Sequence, residues 1–109
     1  EGQAGAARIQ EILKDLRTSG LAEINGTKVV RFEDYKECRI VDNGVESELV
    51  GFTKSDVLKY YLEDGCWIAI RPSGTEPKCK FYYCIKGSSL CEAHEKTIAY
   101  QKAMADLIA

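Results

Sequence analysis

Proline is scarce in this chain. Only two occur in 109 residues, and both fall in one short stretch, at Pro72 and Pro77. Elsewhere helix or strand can form without a missing amide donor. Histidine is scarcer still, with His94 alone, and there is no C-x-x-C pair. The tight ligand spacing of a structural zinc site is therefore lacking. No apolar run approaches the roughly 20 residues that cross a bilayer. Residues Glu1 to Ala7 have neither the basic flank nor the apolar stretch of a signal peptide. Positive charge is not in excess, since 15 Lys and Arg stand against 17 Asp and Glu for a formal net charge of −2. No global field draws nucleic acid or anionic lipid, so neither is expected as a partner, and any anion site must be local.

What the chain does contain is ordinary for a globular domain, and its length suits one domain spanning residues 1–109. The five cysteines, Cys38, Cys66, Cys79, Cys84 and Cys91, are odd in number. They read as reduced thiols, and the expected location is cytoplasmic. Cys91 and His94 have a spacing found in some metal sites, but nothing completes a tetrahedron, so no metal is expected. His94, among charged neighbours, reads as a surface residue rather than a base.

Ile9, Ile12, Leu13 and Leu16 recur at helical spacing, and Gly20 ends that helix. Asn25-Gly26 signals a turn, and Val29, Val30, Phe32 and Tyr35 follow as a strand. Between Lys36 and Lys54, a short strand and a loop are expected around Ile40-Val41 and Leu49-Val50. Val57–Ile70 reads as a β-hairpin turning at Asp64-Gly65 in a type I′ turn. Arg71 to Lys78 holds both prolines and reads as loop. From Lys80 to Lys86, Phe81, Tyr83 and Ile85 alternate with Lys80, Tyr82, Cys84 and Lys86, the pattern of a strand. After Gly87, Ser89 and Glu92 form a capping box that opens a final helix. Its apolar stripe is Leu90, Ala93, Thr97, Tyr100, Met104 and Leu107. The expected fold is α+β, an antiparallel sheet of about four strands with both helices on one face. Trp67, Tyr60, Tyr82 and Tyr83 have the makings of a base-stacking platform. The acidic balance favours sheet packing for them instead.

The segment Arg71 to Lys80 concentrates the chemistry. Arg71 offers a planar fork matched to phosphate oxygens. Ser73 and Thr75 supply hydroxyls on either side of Gly74, which lets the backbone come close, and successive amides in such a turn form an anion-binding concavity. Pro72 and Pro77 reduce the loop's freedom. Lys78 and Lys80 add positive charge, while Glu76 subtracts some. The same residues also suit an ordinary surface turn, with Arg71 paired to a nearby carboxylate. The glycine spacing of a nucleotide-binding P-loop is missing.

The string RPSGTEPK, Arg71 to Lys78, resembles the phosphate-binding loop in the fourth, C-terminal domain of the α-D-phosphohexomutases. VLKYYLEDG, Val57 to Gly65, and KFYY, Lys80 to Tyr83, resemble the strands flanking that loop in the bacterial phosphoglucomutase branch. KVVRFEDY, Lys28 to Tyr35, is similar to the same branch. The resemblance implies a TATA-binding-protein-like domain and a longer enzyme. That enzyme moves a phosphoryl group between the 1- and 6-hydroxyls of a hexose through a bisphosphorylated sugar, from a phosphoserine, with Mg²⁺ held by aspartates and a glucose 1,6-bisphosphate activator. The partners implied are the phosphosugar and the other three domains of the same chain.

By resemblance, Arg71, Ser73, Gly74 and Thr75 fall on substrate-phosphate ligands. Lys80 stands where many relatives have an arginine, a departure that replaces a fork by a point charge. Pro72, Glu76, Pro77 and Lys78 shape the loop. No catalytic or metal-binding residue is expected in this stretch, since Ser88-Ser89 caps a helix, so the 109 residues alone should be inactive. The reading is a phosphate clamp of a phosphoglucomutase. Its alternatives are the corresponding domain of a phosphomannomutase, phosphopentomutase or phosphoglucosamine mutase, or a standalone anion-binding module.

Overall fold

The computed structural model describes residues 2–51, 55–72 and 79–108. Helix α1 spans Gly2–Ser19, and its stripe Ile9, Leu13 and Leu16 is buried. It ends where Gly20 takes a φ of 75° and donates its amide to the Leu16 carbonyl at 2.9 Å. That left-handed φ is open to glycine at no steric cost.

Among the described residues seven strands follow: β1 Glu23–Ile24, β2 Thr27–Asp34, β3 Arg39–Asp42, β4 Val45–Glu48, β5 Leu58–Leu62, β6 Trp67–Pro72 and β7 Cys79–Cys84. They form one antiparallel sheet in the order β4-β3-β2-β5-β6-β7, with β1 paired to β2. Helix α2, Leu90–Ile108, closes the fold.

The α+β class and the open antiparallel sheet agree with the sequence pattern, but the strands are more numerous than about four. The additional ones are short and turn tightly. Asn25-Gly26 links β1 to β2, and Asn43-Gly44 links β3 to β4. Both residues of each pair have positive φ, the mark of a type I′ turn. Strand β4 (Val-Glu-Ser-Glu) is exposed throughout, so it shows none of the alternation by which a half-buried strand is read.

The β5–β6 hairpin forms over the expected stretch with a different turn. Leu62 and Cys66 close it, Gly65 donates to the Leu62 carbonyl, and Gly65 alone in the turn has positive φ, at 88°. This is a three-residue loop ending in a glycine bulge rather than a type I′ turn. Asp64 keeps a right-handed φ and spends its carboxylate on the Cys66 amide at 3.0 Å.

One face of the sheet carries the core. Phe32, Leu58, Tyr60, Leu62, Ile68 and Ile70 pack with Ile9, Leu13 and Leu16 of α1 and Tyr100 and Met104 of α2. Both helices therefore cover the same face. Phe81 and Tyr83 join this packing, as their alternation in β7 requires. In α2 the capping box forms, with the Glu92 amide 3.1 Å from Ser89 Oγ, but the Glu92 carboxylate accepts from the Ser88 amide instead of that of Ser89. Leu90, expected on the buried stripe, is 92% exposed, because the α2 residues that reach the core, Tyr100, Ala103, Met104 and Leu107, lie in its later turns.

Candidate functional site

The β6–β7 ladder builds the base of the chemically loaded segment. Its last pairs are Ile70↔Phe81, Arg71↔Lys80 and Pro72↔Cys79. Arg71 and Pro72 thus continue the strand, and the segment between the strands narrows to 73–78. Strand β5 stops pairing at Leu58↔Ile70, so Pro72 lies past its reach. A proline fits there because no partner on that side asks for its amide.

Ile70 points into the core, so Arg71 projects from the opposite, helix-free face. Lys80 lies directly across from it on that face, and both are exposed. Among the described residues neither makes an ion pair. Two cations with adjacent backbones repel one another, and a dianion placed between them removes that repulsion. Ser73, Gly74, Thr75, Glu76, Pro77 and Lys78 lie outside the described residues.

On the helix side, the base of this segment is braced by charge. Arg17, near the end of α1, donates from Nε to Asp34 at 3.1 Å and from Nη2 to Asp56 at 2.6 Å. Burial opposes the Arg17 charge, but the bonds to Asp56 and Asp34 outweigh it and hold its pKa above the ordinary value. Burial pushes up the Cys79 thiol, and the Asp56 carboxylate adds to the rise. Asp56 precedes Leu58, the residue paired to Ile70, so it lies toward the end of the sheet that carries Pro72. Arg39 donates from Nη2 to the Arg17 carbonyl at 2.9 Å and so caps α1. These residues were not singled out in the sequence. Arg17, Asp34, Asp56 and Arg39 are far apart along the chain, and no motif links them.

The helix-free face carries a second polar group. Glu33, 5% exposed, accepts from Arg31 Nε at 2.8 Å and from the Tyr35 hydroxyl at 2.7 Å. Lys59 Nζ stands 4.2 Å from the centre of the Trp67 ring and 4.8 Å from that of Tyr61. The aromatics named as a stacking platform are therefore divided. Tyr60 and Tyr83 belong to the core, while Trp67 and Tyr82 lie on the helix-free face.

A cavity of about 200 Å³ between the end of α1 and strands β2–β3 is lined by Arg17, Leu21, Val29, Phe32, Arg39 and Val41, away from Arg71 and Lys80. Among the described residues no group of three or more His, Cys, Asp or Glu side chains is placed to hold a metal ion. No helix among them is long and apolar enough to cross a membrane.

Residues 1–84 match the family described as phosphoglucomutase/phosphomannomutase, C-terminal domain. The chain belongs to that family. The match takes in α1, every strand and the segment between Arg71 and Lys80. The phosphoglucomutase of Staphylococcus saprophyticus is 35% identical over 94 residues, which cover 84% of this chain and 17% of that enzyme. The phosphoglucomutase of Staphylococcus epidermidis is 39% identical over 83 residues, 75% of this chain and 15% of the relative. That of Staphylococcus aureus strain N315 is 38% identical over 88 residues, 79% and 16% respectively. The chain thus spans about a sixth of the length of these phosphoglucomutases. No solved structure matches it significantly.

Proposed function

We propose that this domain is the substrate-phosphate clamp of a phosphoglucomutase that interconverts glucose 1-phosphate and glucose 6-phosphate through a bisphosphorylated intermediate. The observation that carries the reading is the Arg71↔Lys80 pair, two exposed cations side by side at the mouth of segment 73–78. Arg71 provides the forked, charge-assisted contact, and Lys80 provides a point charge. Ser73, Gly74 and Thr75 add hydroxyl and amide donors, with Pro72, Glu76, Pro77 and Lys78 setting the shape of the loop. Relatives named phosphoglucomutase favour glucose over the mannose that the family description also covers.

Phosphoryl transfer depends chiefly on positioning and charge stabilisation. Holding the phosphate that is not transferred aligns the hydroxyl that reacts, and the binding energy of the remote group is used at the reacting one. A clamp specific for the dianion rather than for one face of the sugar accepts a 1-phosphate in one direction and a 6-phosphate in the other. The donor phosphoryl group and any Mg²⁺ then belong to other parts of the longer enzyme, a phosphosugar mutase at work in the cytoplasm.

Calorimetric titration of the full-length enzyme tests this reading. Arg71→Ala should weaken both inorganic phosphate and glucose 6-phosphate by roughly 10- to 100-fold, the effect of about 1.5–3 kcal/mol for a bond to a charged group. Equal affinities in the variant and the parent enzyme would reject the clamp.

A further inference from the structure

Tyr82 is the exposed aromatic among the described residues, at 44%. It makes no hydrogen bond or ring contact among them. Its position follows from the ladder. Tyr82 lies two residues beyond Lys80 on β7 and opposite Ala69, which lies two residues before Arg71 on β6. Every second residue of a strand returns to the same face, and directly opposed residues share a face. Arg71, Lys80, Ala69 and Tyr82 therefore form one four-cornered plot on the helix-free face, with cations along one side and an aromatic ring on the other.

The floor of this plot is low. Ala69 is only 7% exposed although no helix covers its face, so its methyl sits below the side chains around it. Beyond it, Lys59 is drawn away from Arg71, toward the rings of Trp67 and Tyr61. Arg71, Lys80 and Tyr82 thus border one strip of this face, with the two cations at one end and the Tyr82 ring at the other. The advance from the Lys80 corner to the Tyr82 corner is roughly 7 Å, two residues of extended chain, and comparable to the length of a pyranose. The C–H face of a hexose is apolar, and laying it on an aromatic ring removes both surfaces from water.

We infer that Tyr82 is a sugar-contact residue: a hexose held by its phosphate between Arg71 and Lys80 lays its C–H face on the Tyr82 ring. The inference rests on the phosphate-clamp reading and adds the pyranose ring to what the domain recognises. It assigns the domain a share in distinguishing sugar phosphate from free phosphate, which a pure anion clamp lacks. Contact through ring carbons, not the hydroxyl, also suits a substrate that binds in two orientations.

The experiment compares inorganic phosphate with glucose 6-phosphate on the full-length enzyme, using Tyr82→Ala, Tyr82→Phe and Arg71→Ala. Tyr82→Ala should weaken glucose 6-phosphate about 3- to 10-fold, the range of a well-placed aromatic contact, with phosphate affinity unmoved. Tyr82→Phe, which keeps the ring, should restore sugar-phosphate binding to within about 2-fold of the parent on the same grounds. Arg71→Ala should weaken both ligands. Enzyme carrying fluorotyrosine gives a second readout, in which the Tyr82 resonance should shift with glucose 6-phosphate and far less with phosphate. If Tyr82→Ala binds glucose 6-phosphate as the parent does, or the fluorine signal responds equally to both ligands, the sugar contact is wrong and the clamp stands. If Arg71→Ala changes neither affinity, the clamp itself fails.

Discussion

Arg17 Nε lies 3.1 Å from each carboxylate oxygen of Asp34, a side chain with no exposed surface. The same carboxylate also accepts the amides of Lys36 and Glu37 at 3.1 Å, so it turns the chain at the end of β2 while holding the end of α1. Removing one member leaves the other as a buried charge without its partner, which typically costs more than the pair contributes. Arg17→Met should therefore lower unfolding free energy by about 3 kcal/mol in urea denaturation. A loss under about 1 kcal/mol, the range of exposed pairs, would show that water replaces the contact.

Arg71→Ala should behave in the opposite way. Arg71 is exposed and carries no ion pair among the described residues, so its removal should change stability by no more than about 0.5 kcal/mol. Urea curves for the Arg17 and Arg71 variants, measured side by side, separate the brace from the proposed binding residue. A destabilised Arg71→Ala would mean that the guanidinium supports the fold.

The Asp64–Tyr100 contact makes stability depend on pH at both ends. The Tyr100 hydroxyl donates to Asp64 Oδ2 at 2.6 Å, and Lys96 Nζ lies 3.3 Å from the same oxygen. Partial burial pushes the Asp64 carboxyl up, but the bonds from Tyr100, the Cys66 amide and Lys96 outweigh it and settle it at about 2. Its ordinary value is 3.8, so the contribution is complete above that pH and is lost as pH falls toward about 2. Burial, and then the hydrogen bond to Asp64, push the Tyr100 hydroxyl up to about 12 from 10.0. That contribution is complete below pH 10 and is lost as pH rises toward about 12. Melting temperature against pH should fall in both windows, and Tyr100→Phe should flatten the acid one. An unchanged acid limb in that variant would take Tyr100 out of the account.

Gly87 joins β7 to α2 where the helix backbone passes close by. A Cβ there would stand 2.7 Å from the Ala93 amide nitrogen and 3.2 Å from the Glu92 carboxylate oxygen that accepts the Ser88 amide. Gly87→Ala should displace the first turn of α2 and cost about 2 kcal/mol, in the range of overpacking. The Ser88 and Glu92 amides should exchange faster with solvent, and a neutral substitution would contradict the close approach.

Periodicity made much of this fold legible. Helix α1, the β5–β6 hairpin and β7 each bury one regular face, and burial of that kind leaves its spacing in the sequence. Strand β4 left no such trace, because an exposed edge strand has no buried face to encode. The turn at Asp64-Gly65 departs from the one its dipeptide favours: Asp64 bonds locally to the Cys66 amide and, from 36 residues away, accepts the Tyr100 hydroxyl, a contact that only tertiary structure sets. In the candidate site, Arg71 and Lys80 were visible as residues, but their side-by-side placement needed the register. The Arg17 brace was invisible, since hydrogen bonds spanning such separations follow no local rule.

In the ladder order, every contact but one joins strands adjacent in sequence, and the exception is β2 with β5. Hairpins close quickly because little chain entropy is lost before their bonds form, whereas β2 must wait for β5 to return from the far side of the β3–β4 excursion. Assembly of the domain is thus a meeting of two separately prepared halves. Trimming Val29 or Leu62, partners across that seam, should slow refolding in stopped-flow measurements. Changes in β4 should act mainly by hastening unfolding. The proposed clamp lies on the second half, and Arg17 of α1 reaches across the seam to Asp56 of that half.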